Sequence, residues 1–325
     1  MEFSEDLVND SFNEYSNSGF VVFKSIDNKI YLIYSNNNKS LISYDIINKK
    51  KLTEIKNAHN QNITSYKYIL DNINKKDLVL SVSEADNNIK LWNINIWECL
   101  LNIQNINKFG RLHSACFLNF NKNIYIITSN LFHDKKPEPI KIFDLNGKKI
   151  KELHNSSDRG DNTHFIDTYY TKKSSKVYIL TCKENCLKIY DYIVNKIYNI
   201  IYSIIANNII IDDKNDNVHI ICSCHDGLVR IWDFDSAKLL TKIKVSNNGL
   251  FEELLWNSYY LFVGTTDNNS IKMIDLKKKK IIHSLNGHNN FVRTIKIINI
   301  PEYGECLLSQ GLDTETIKLW KFKTK

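Results

Sequence analysis

Val229-Arg230-Ile231-Trp232-Asp233 is the clearest copy of a motif that recurs along this chain: an aliphatic residue, Lys or Arg, an aliphatic residue, an aromatic residue and Asp. Related copies begin at Ile89, Ile140, Leu187, Ile271 and Ile317, and a weaker copy without a basic residue begins at Leu41. The fourth positions of the seven copies are separated by 48, 51, 47, 42, 42 and 46 residues. A period of this length indicates a repeat architecture.

Each repeat has the composition of several short strands. Runs rich in Ile, Val, Leu and Tyr precede the motifs, and another short apolar run follows a polar turn after each motif. The motif places aliphatic side chains on one face and an aromatic side chain on the other, so both faces are predicted to be buried. Seven four-stranded antiparallel units stacked side by side predict an all-β fold, the seven-bladed β-propeller. The predicted repeats are approximately 20–56, 57–104, 105–154, 155–203, 204–245, 246–286 and 287–325.

The motif ending in Trp232-Asp233, together with the Gly287-His288 pair that opens the last repeat, resembles the WD-repeat family. In that family Asp, His, Ser and Trp form a hydrogen-bonded chain inside a blade. The resemblance implies such a structural network for these residues: His288, Ser309, Asp313 and Trp320 in the last repeat, His59, Asp86 and Trp92 in the second, and Asp226 and Trp232 in the fifth. Asp313 lies seven residues before its Trp instead of six, which predicts a one-residue bulge.

The last repeat ends after its third predicted strand. In WD-repeat propellers the N-terminal segment commonly supplies the missing outer strand, which implies that residues 1–19 close the ring. A segment within residues 2–15 is the candidate, although its Asp and Asn residues favour strands poorly.

The resemblance also assigns the turns to two rims. The turn before the motif and the turn into the next repeat open on one rim, called the top rim, and the other two turns open on the bottom rim. Two long top-rim turns, 130–139 and 154–162, and aromatic residues near the first strands, including Phe20, are candidates for partner binding. Packing between blades is the alternative for the aromatic residues. The candidate top-rim residues are Phe109, Arg111, Phe165, Phe251, Phe291, Arg293, His133, Lys135, Lys136 and Arg159.

The predicted bottom rim is rich in lysine. Gathered on one face, these lysines would suit RNA phosphates, anionic lipid or an acidic partner. The alternative is that lysine simply fills exposed turns in a chain of this composition. The candidate basic residues are Lys49, Lys50, Lys51, Lys75, Lys76, Lys148, Lys149, Lys172, Lys173, Lys277, Lys278, Lys279 and Lys280.

Composition and charge limit the classes of protein. The formal charge is +7, which is compatible with several kinds of partner and diagnostic of none. Seven scattered cysteines predict reduced thiols and a cytoplasmic or nuclear protein. The acidic N-terminus does not resemble a signal peptide, and no apolar run reaches about 18 residues, so no membrane span is predicted.

Motifs for catalysis are not found. Cys182 and Cys186, and Cys222, Cys224 and His225, have spacings that fit structural zinc poorly, so small buried thiols are the preferred interpretation. The sequence contains no Gly-rich phosphate loop, nucleophile elbow or paired carboxylates in matching contexts. We therefore predict no enzyme activity, no cofactor, no metal and no small-molecule substrate.

A rigid ring without catalytic residues predicts a scaffold or adaptor that presents its top rim to peptide or protein partners, as a monomeric propeller within a hetero-complex. The first alternative is an RNA-associated propeller in ribosome assembly or RNA processing that uses the bottom rim. The second is a ubiquitin-ligase substrate receptor, whose class often carries Arg two residues after Trp-Asp. Here Trp232-Asp233 is followed by Phe234-Asp235, so that motif does not match.

Overall fold

A computed structural model describes residues 2–9, 19–35, 39–104, 110–132, 139–153, 163–171, 176–183, 186–202, 204, 208–213, 217–312 and 316–322. These residues form strands and turns only, without a helix, and nothing in this part of the chain is a helical segment able to cross a membrane. The long top-rim turns are largely outside the described residues, as are Phe109, His133, Lys135, Lys136, Arg159, Lys172, Lys173 and Asp313.

The described residues contain 28 strands in seven four-stranded antiparallel blades, which confirms the predicted all-β, seven-bladed β-propeller. The first strand, β1, spans Glu2–Asn9. Blade 1 comprises β2 (Val21–Lys24), β3 (Ile30–Tyr34), β4 (Leu41–Asp45) and β5 (Lys50–Ile55), and blade 2 comprises β6 (Ser65–Asp71), β7 (Lys76–Ser83), β8 (Asn88–Asn93) and β9 (Glu98–Gln104). Blade 3 comprises β10 (Gly110–Phe120), β11 (Asn123–Phe132), β12 (Ile140–Asp144) and β13 (Lys149–Leu153), and blade 4 comprises β14 (Thr163–Tyr170), β15 (Val177–Lys183), β16 (Cys186–Asp191) and β17 (Lys196–Tyr202). Blade 5 comprises β18 (Ile210–Asp212), β19 (His219–Ser223), β20 (Leu228–Asp233) and β21 (Leu239–Lys244). Blade 6 comprises β22 (Leu250–Trp256), β23 (Tyr260–Thr265), β24 (Ile271–Asp275) and β25 (Lys280–Leu285). Blade 7 comprises β26 (Val292–Ile300), β27 (Gly304–Gly311) and β28 (Thr316–Lys321), with β1 as its fourth strand.

The blades belong to two compact units. One unit comprises Asn17–Asp45 and Lys50–Ile204 and contains blades 1 to 4; the other comprises Met1–Ser16, Ile46–Lys49 and Ile205–Lys325 and contains blades 5 to 7. Within each unit the first strands of consecutive blades lie against each other, as β6 does against β10 and β22 does against β26. Each pair of neighbouring blades in a unit therefore encloses its own apolar layer.

The repeat motif forms the third strand of each blade, and its burial follows from the alternation of the sequence. In blade 2, Ile89 and Leu91 pack towards blade 3, whereas Trp92 packs towards blade 1. The motif's final Asp caps the turn that follows. Asp144 Oδ1 accepts the backbone N–H groups of Asn146 at 2.9 Å and Lys148 at 2.8 Å, and Asp191 does the same for two turn amides. A short acidic side chain at this position satisfies turn donors that no strand partner reaches.

A β-bulge recurs opposite the motif, and no residue pattern in the sequence predicts it. In blades 1 to 6 the fourth strand carries one extra residue between the partners of the third and fourth motif residues. The extra residues are apolar or aromatic, yet between 37% and 50% of their surface is exposed: Leu52, Leu100, Ile150, Tyr198, Leu240 and Ile282. Because the bulge turns the outermost strand, these side chains face solvent instead of a neighbouring blade.

The N-terminal segment completes blade 7, as predicted. Strand β1 pairs antiparallel with β28, so the two ends of the chain meet in one sheet. Leu7 and Val8 are buried, Asp6 Oδ1 lies 2.7 Å from Lys318 Nζ, and Glu5 Oε2 lies 2.6 Å from Lys49 Nζ. Acidic residues that favour strands poorly are thus held by basic partners.

Candidate functional site

Blade 2 contains a four-residue polar network. The indole N–H of Trp92 donates to Ser81 Oγ at 2.8 Å, and Ser81 Oγ lies 2.7 Å from His59 Nε2. While it accepts from Trp92, Ser81 Oγ can donate to His59 Nε2; His59 Nδ1 lies 3.7 Å from Asp86 Oδ2, beyond hydrogen-bond distance. Asp86 Oδ2 also accepts the backbone N–H groups of residues 60 and 61, at 2.7 and 3.0 Å. The carboxylate therefore fixes the loop that carries His59.

This network holds its histidine in the neutral form. His59 is 1% exposed, and burial lowers its pKa to about 4, with the Lys90 charge acting in the same direction and the Asp86 charge opposing them. A cationic ring would be costly there, because desolvation penalises the charged form. Trp92, Ser81 and His59 form a buried hydrogen-bonded chain that holds the second and third strands to the loop carrying His59.

Blade 7 repeats the tryptophan–serine–histidine part of this network. Ser309 Oγ accepts the indole N–H of Trp320 at 2.7 Å and lies 2.7 Å from His288 Nε2. Burial lowers the pKa of His288 to about 4, and the Lys318 charge acts in the same direction. Ser309 is opposite Lys318 in the strand register, as Ser81 is opposite Lys90, so the two serines occupy equivalent positions.

Blade 5 does not form the network expected for Asp226 and Trp232. Cys222 occupies the serine position, opposite Arg230, and its Sγ atom lies 3.8 Å from that of Cys224. Asp226 instead pairs with the Arg230 guanidinium, with Oδ1 2.8 Å from Nη1, and this hydrogen bond lowers the pKa of Asp226. The Cys222 thiol occupies the place of the hydroxyl that would join Trp232 to a histidine, and the Asp226 carboxylate binds Arg230 instead.

On the top rim, blades 6 and 7 bring Phe251 and Phe291 together. Their rings stack at a centroid distance of 4.9 Å with an interplanar angle of 4°, and both side chains are half-buried. Phe251 lies at a bulge, where β22 has extra residues between Leu250 and Glu253. Gly264 permits the approach of blade 7, because a Cβ there would lie 2.3 Å from the carbonyl oxygen of Val292. We call Phe251 and Phe291 the top-rim aromatic pair.

The other candidate top-rim residues differ from this pair. Phe20 and Phe165 are 3% and 6% exposed, so they belong to the core and do not offer their rings to a partner. Here the alternative of packing between blades is the one that the geometry favours. Arg293 is half-buried and is the extra residue of a bulge in β26, two residues from Phe291. Arg111 lies in β10, but its side chain is outside the described residues.

The bottom-rim lysines fall into two groups. Some have acidic partners: Lys49 with Glu5, Lys51 with Glu54 at 2.5 Å, and Lys149 with Glu152 at 2.6 Å. Lys76 is half-buried. The exposed candidates without such a pair among the described ion pairs are Lys50, Lys75, Lys148, Lys277, Lys279 and Lys280.

A buried carboxylate joins the bottom turns of blades 1 and 2, and the sequence motifs did not identify it. Asp77 is fully buried and accepts hydrogen bonds from Tyr68 Oη and Asn95 Nδ2, each at 2.8 Å, from Ser25 Oγ, and from the backbone N–H of Ile26. Burial, followed by these contacts with Asp77, raises the pKa of Tyr68. Ser25 and Asp77 are 52 residues apart, so no local motif signals the contact.

A second buried acid has no such partners. Glu253 in β22 is 2% exposed, and neither of its carboxyl oxygens has a hydrogen-bond partner among the described residues. Burial raises the pKa of Glu253 well above its usual value. Burial therefore favours the protonated form of this carboxyl, because a desolvated charge is costly.

The described residues contain no group of three His, Cys, Asp or Glu side chains placed to hold a metal ion. Cys182, Cys222 and Cys224 are each no more than 2% exposed, consistent with small strand side chains. A polar cleft of about 420 Å³ lies between the bottom turns of blades 2 and 3, and its lining includes Asp71 and Asp144. Both carboxylates cap their own turns, so they are already committed to backbone donors.

Part of the chain is similar to a known protein. No protein-family model matches the chain. A stretch of 111 residues, 34% of this chain, is 26% identical to the U3 small nucleolar RNA-associated protein 21 homolog of Schizosaccharomyces pombe. The stretch covers 12% of that protein's length, so the chain is similar to a small part of a much longer protein.

Proposed function

We propose that this chain is a non-enzymatic scaffold of the WD-repeat type, which holds a protein partner at its top rim within an assembly that contains RNA. The observation that carries the scaffold function is the top-rim aromatic pair. Two parallel, half-buried rings leave apolar surface at the rim of a rigid fold, and aromatic side chains are the usual anchors of protein interfaces. The occupant is a peptide segment that supplies a large apolar side chain.

The two polar networks support the WD-repeat assignment. Trp92 and Trp320 each donate to a serine that contacts a histidine, with nearly identical distances in two different blades. These indole, hydroxyl and imidazole groups are buried, so they stabilise the blades and do not face a substrate.

The RNA-containing assembly is supported by the partial relative. That protein is named as associated with U3 small nucleolar RNA, and the predicted RNA-associated alternative agrees with this name. Of the two predicted localisations, the nuclear one fits such an assembly. The ubiquitin-ligase alternative has no support of this kind, because the Arg expected after Trp232-Asp233 is absent.

Proximity labelling with the full chain, followed by mass spectrometry, tests the scaffold function. We expect a reproducible set of proteins that includes RNA-binding ones, and we expect the double change Phe251→Ala and Phe291→Ala to reduce enrichment of the direct partner at least about tenfold. Tyr198→Ala with Tyr202→Ala is the matched control, because it removes two exposed rings from the outer strand of blade 4. Thermal unfolding of each variant separates loss of binding from loss of fold. Equal enrichment in both double variants would overturn the proposal.

A further inference from the structure

The bottom rim of blade 6 combines an exposed tyrosine, Tyr259, with four consecutive exposed lysines. We propose that Tyr259 and the lysine run 277–280 bind single-stranded RNA, with the tyrosine ring stacking on a base and the lysines contacting phosphates. The choice of RNA over DNA rests on the proposed function, whereas the surface itself does not. Phe251 and Trp256 lie near opposite ends of β22, about 17 Å apart at roughly 3.4 Å per residue, so this surface is separate from the top-rim aromatic pair.

The first observation is the position of Tyr259. It lies in the turn between β22 and β23 and is 48% exposed. Lys277 Nζ lies 4.0 Å from its ring centroid, and the backbone N–H of Leu276 donates to the Tyr259 carbonyl at 2.9 Å. The hydrogen bond ties the two bottom turns of the blade together, so the backbone of Tyr259 is held beside the lysine run. Base stacking on such a ring needs little further ordering, and it tolerates any base.

The second observation is the unbalanced charge of the turn. Lys277, Lys278, Lys279 and Lys280 are all exposed and consecutive. Asp275, the nearest acid along the chain, accepts the backbone N–H of Lys278 at 2.9 Å, and its other oxygen lies 3.5 Å from Lys278 Nζ. Lys277, Lys279 and Lys280 take part in none of the described ion pairs. In equivalent parts of blades 1 and 3, by contrast, Lys49, Lys51 and Lys149 each contact a glutamate. An arrangement of like charges without acidic partners suits a polyanion.

The third observation is that blade 7 continues the pattern. Lys321 Nζ lies 3.2 Å from the ring centroid of Tyr303, which is in the corresponding turn between β26 and β27. Trp256 lies between the two blades and donates its indole N–H to Glu305 Oε2 at 2.9 Å. Glu305 keeps its negative charge and Glu302 is exposed, whereas Tyr303 and Lys321 are half-buried. Blade 7 therefore adds a second lysine–tyrosine pair to the same rim, with less net positive charge than blade 6.

A membrane surface or an acidic protein would also be contacted by lysines beside an exposed tyrosine, so the experiment includes lipid vesicles and polyglutamate. Single-stranded nucleic acid is bound by positive surfaces combined with aromatic faces, and here both come from one pair of turns. The lysines are also borne on short, tied turns, where their positions vary less than on a loose tail.

Fluorescence anisotropy of the full chain with a labelled oligouridylate of about 12 nucleotides, within the span of one single-strand-binding module, tests the proposal. We expect changing all four lysines of 277–280 to Gln to weaken binding at least about tenfold. The same change should reduce the slope of log affinity against log salt by about 3, at about 0.7 for each phosphate that is no longer neutralised. Tyr259→Ala should weaken binding at least about fivefold, whereas Tyr259→Phe should retain it, since the ring is kept.

The matched control changes Lys75, Lys122, Lys148 and Lys196 to Gln. These four lysines are exposed, lie in blades 2 to 4 and carry the same total charge. We expect this variant to keep most of the affinity and the salt slope. Equal weakening by both quadruple changes would overturn the proposal, as would binding of the unmodified chain to phosphatidylserine vesicles or polyglutamate but not to oligouridylate. Preference for oligodeoxythymidylate over oligouridylate would overturn the choice of RNA. The double change at Phe251 and Phe291 should leave this affinity unchanged, so the two proposals can fail separately.

Discussion

Trp92 donates its indole N–H to Ser81 at 2.8 Å, so one buried hydroxyl joins the third strand of blade 2 to the loop that carries His59. Ser81→Ala would leave both the indole N–H and the imidazole nitrogen without a partner in the core. We expect the free energy of unfolding to fall by about 2 kcal/mol, because buried polar groups that lose their hydrogen bonds are costly. Urea denaturation measures this loss.

Ser83 provides the control for that prediction. It lies two residues further along the same strand, is equally buried, and its hydroxyl has no hydrogen-bond partner among the described residues. Ser83→Ala should therefore change the free energy of unfolding by less than about 0.5 kcal/mol. Similar losses for the two serine variants would mean that the network contributes nothing beyond packing.

The pH dependence of stability should reveal the neutral histidines. The pKa of His59 is about 4 in the folded chain and 6.5 in the unfolded chain. Between these values the unfolded chain binds a proton that the folded chain does not. The stability that the neutral imidazole permits is therefore complete above pH 6.5 and is lost as the pH falls, by up to about 1.4 kcal/mol per pH unit.

The difference in free energy of unfolding between the unmodified chain and His59→Gln isolates this effect. As the pH is lowered from 6.5 towards 4, we expect the unmodified chain to lose free energy of unfolding relative to His59→Gln. The comparison with His288→Gln should give the same result. His283→Gln removes an exposed histidine and serves as the control. A constant difference for His59→Gln would contradict a buried neutral imidazole.

Glu253 should have the opposite pH dependence. Its pKa is raised in the fold, so between the unfolded value of 4.5 and the folded value the folded chain holds a proton that the unfolded chain has released. Stability then falls as the pH rises through this interval. The free energy of unfolding of Glu253→Gln minus that of the unmodified chain should increase by about 1.4 kcal/mol per pH unit from pH 4.5 upwards.

Subtracting the two curves cancels the histidine contributions, which both proteins share. The amide that replaces the Glu253 carboxyl shifts the difference by a constant amount, so only its slope matters. Glu98→Gln, which removes a carboxyl at an exposed position, is the control. A Glu253→Gln difference that does not change with pH would contradict a raised pKa of Glu253.

The blade architecture could be predicted from the sequence because the motif repeats and both of its faces are apolar. A strand with two buried faces requires a neighbour on each side, and seven such strands require seven blades. The closing strand could be predicted as well, since blade 7 lacked a fourth strand. The outer bulges could not, because an exposed Leu100 or Ile150 has the same residue type as a buried one, and only the register distinguishes them.

The candidate sites were less predictable, since they depend on contacts between distant residues. Ser81 was missed because serine is common, although its place opposite the motif lysine could have identified it. The same register would have warned that Cys222 replaces serine in blade 5. Asp77 and Tyr259 carry no motif at all. Phe165 and Phe251 are both aromatic residues near a first strand, and only the packing of the blades buries one and leaves the other half-exposed.

The closing strand should make a measurable contribution to stability. Removing residues 2–9 deletes the buried side chains of Leu7 and Val8 and leaves β28 as an unpaired edge. We expect the free energy of unfolding to fall by roughly 3 kcal/mol, at about 1.5 kcal/mol or more for each buried aliphatic side chain. The exposed edge should also promote self-association, which light scattering after size-exclusion chromatography would detect.

The two ion pairs made by β1 should contribute much less to the free energy of unfolding than the pairing and burial of the strand itself. Glu5→Gln with Asp6→Asn keeps the backbone pairing and removes the contacts to Lys49, which is exposed, and Lys318, which is half-buried; both contacts are partly open to solvent. This variant should lose less than about 1 kcal/mol and remain monomeric, because surface ion pairs are weak. A synthetic peptide with the sequence of Glu2–Asn9 should restore the stability and the monomeric state of the truncated chain. If truncation changes neither, β28 does not depend on β1, and the closure of blade 7 by the N-terminal strand has no energetic role.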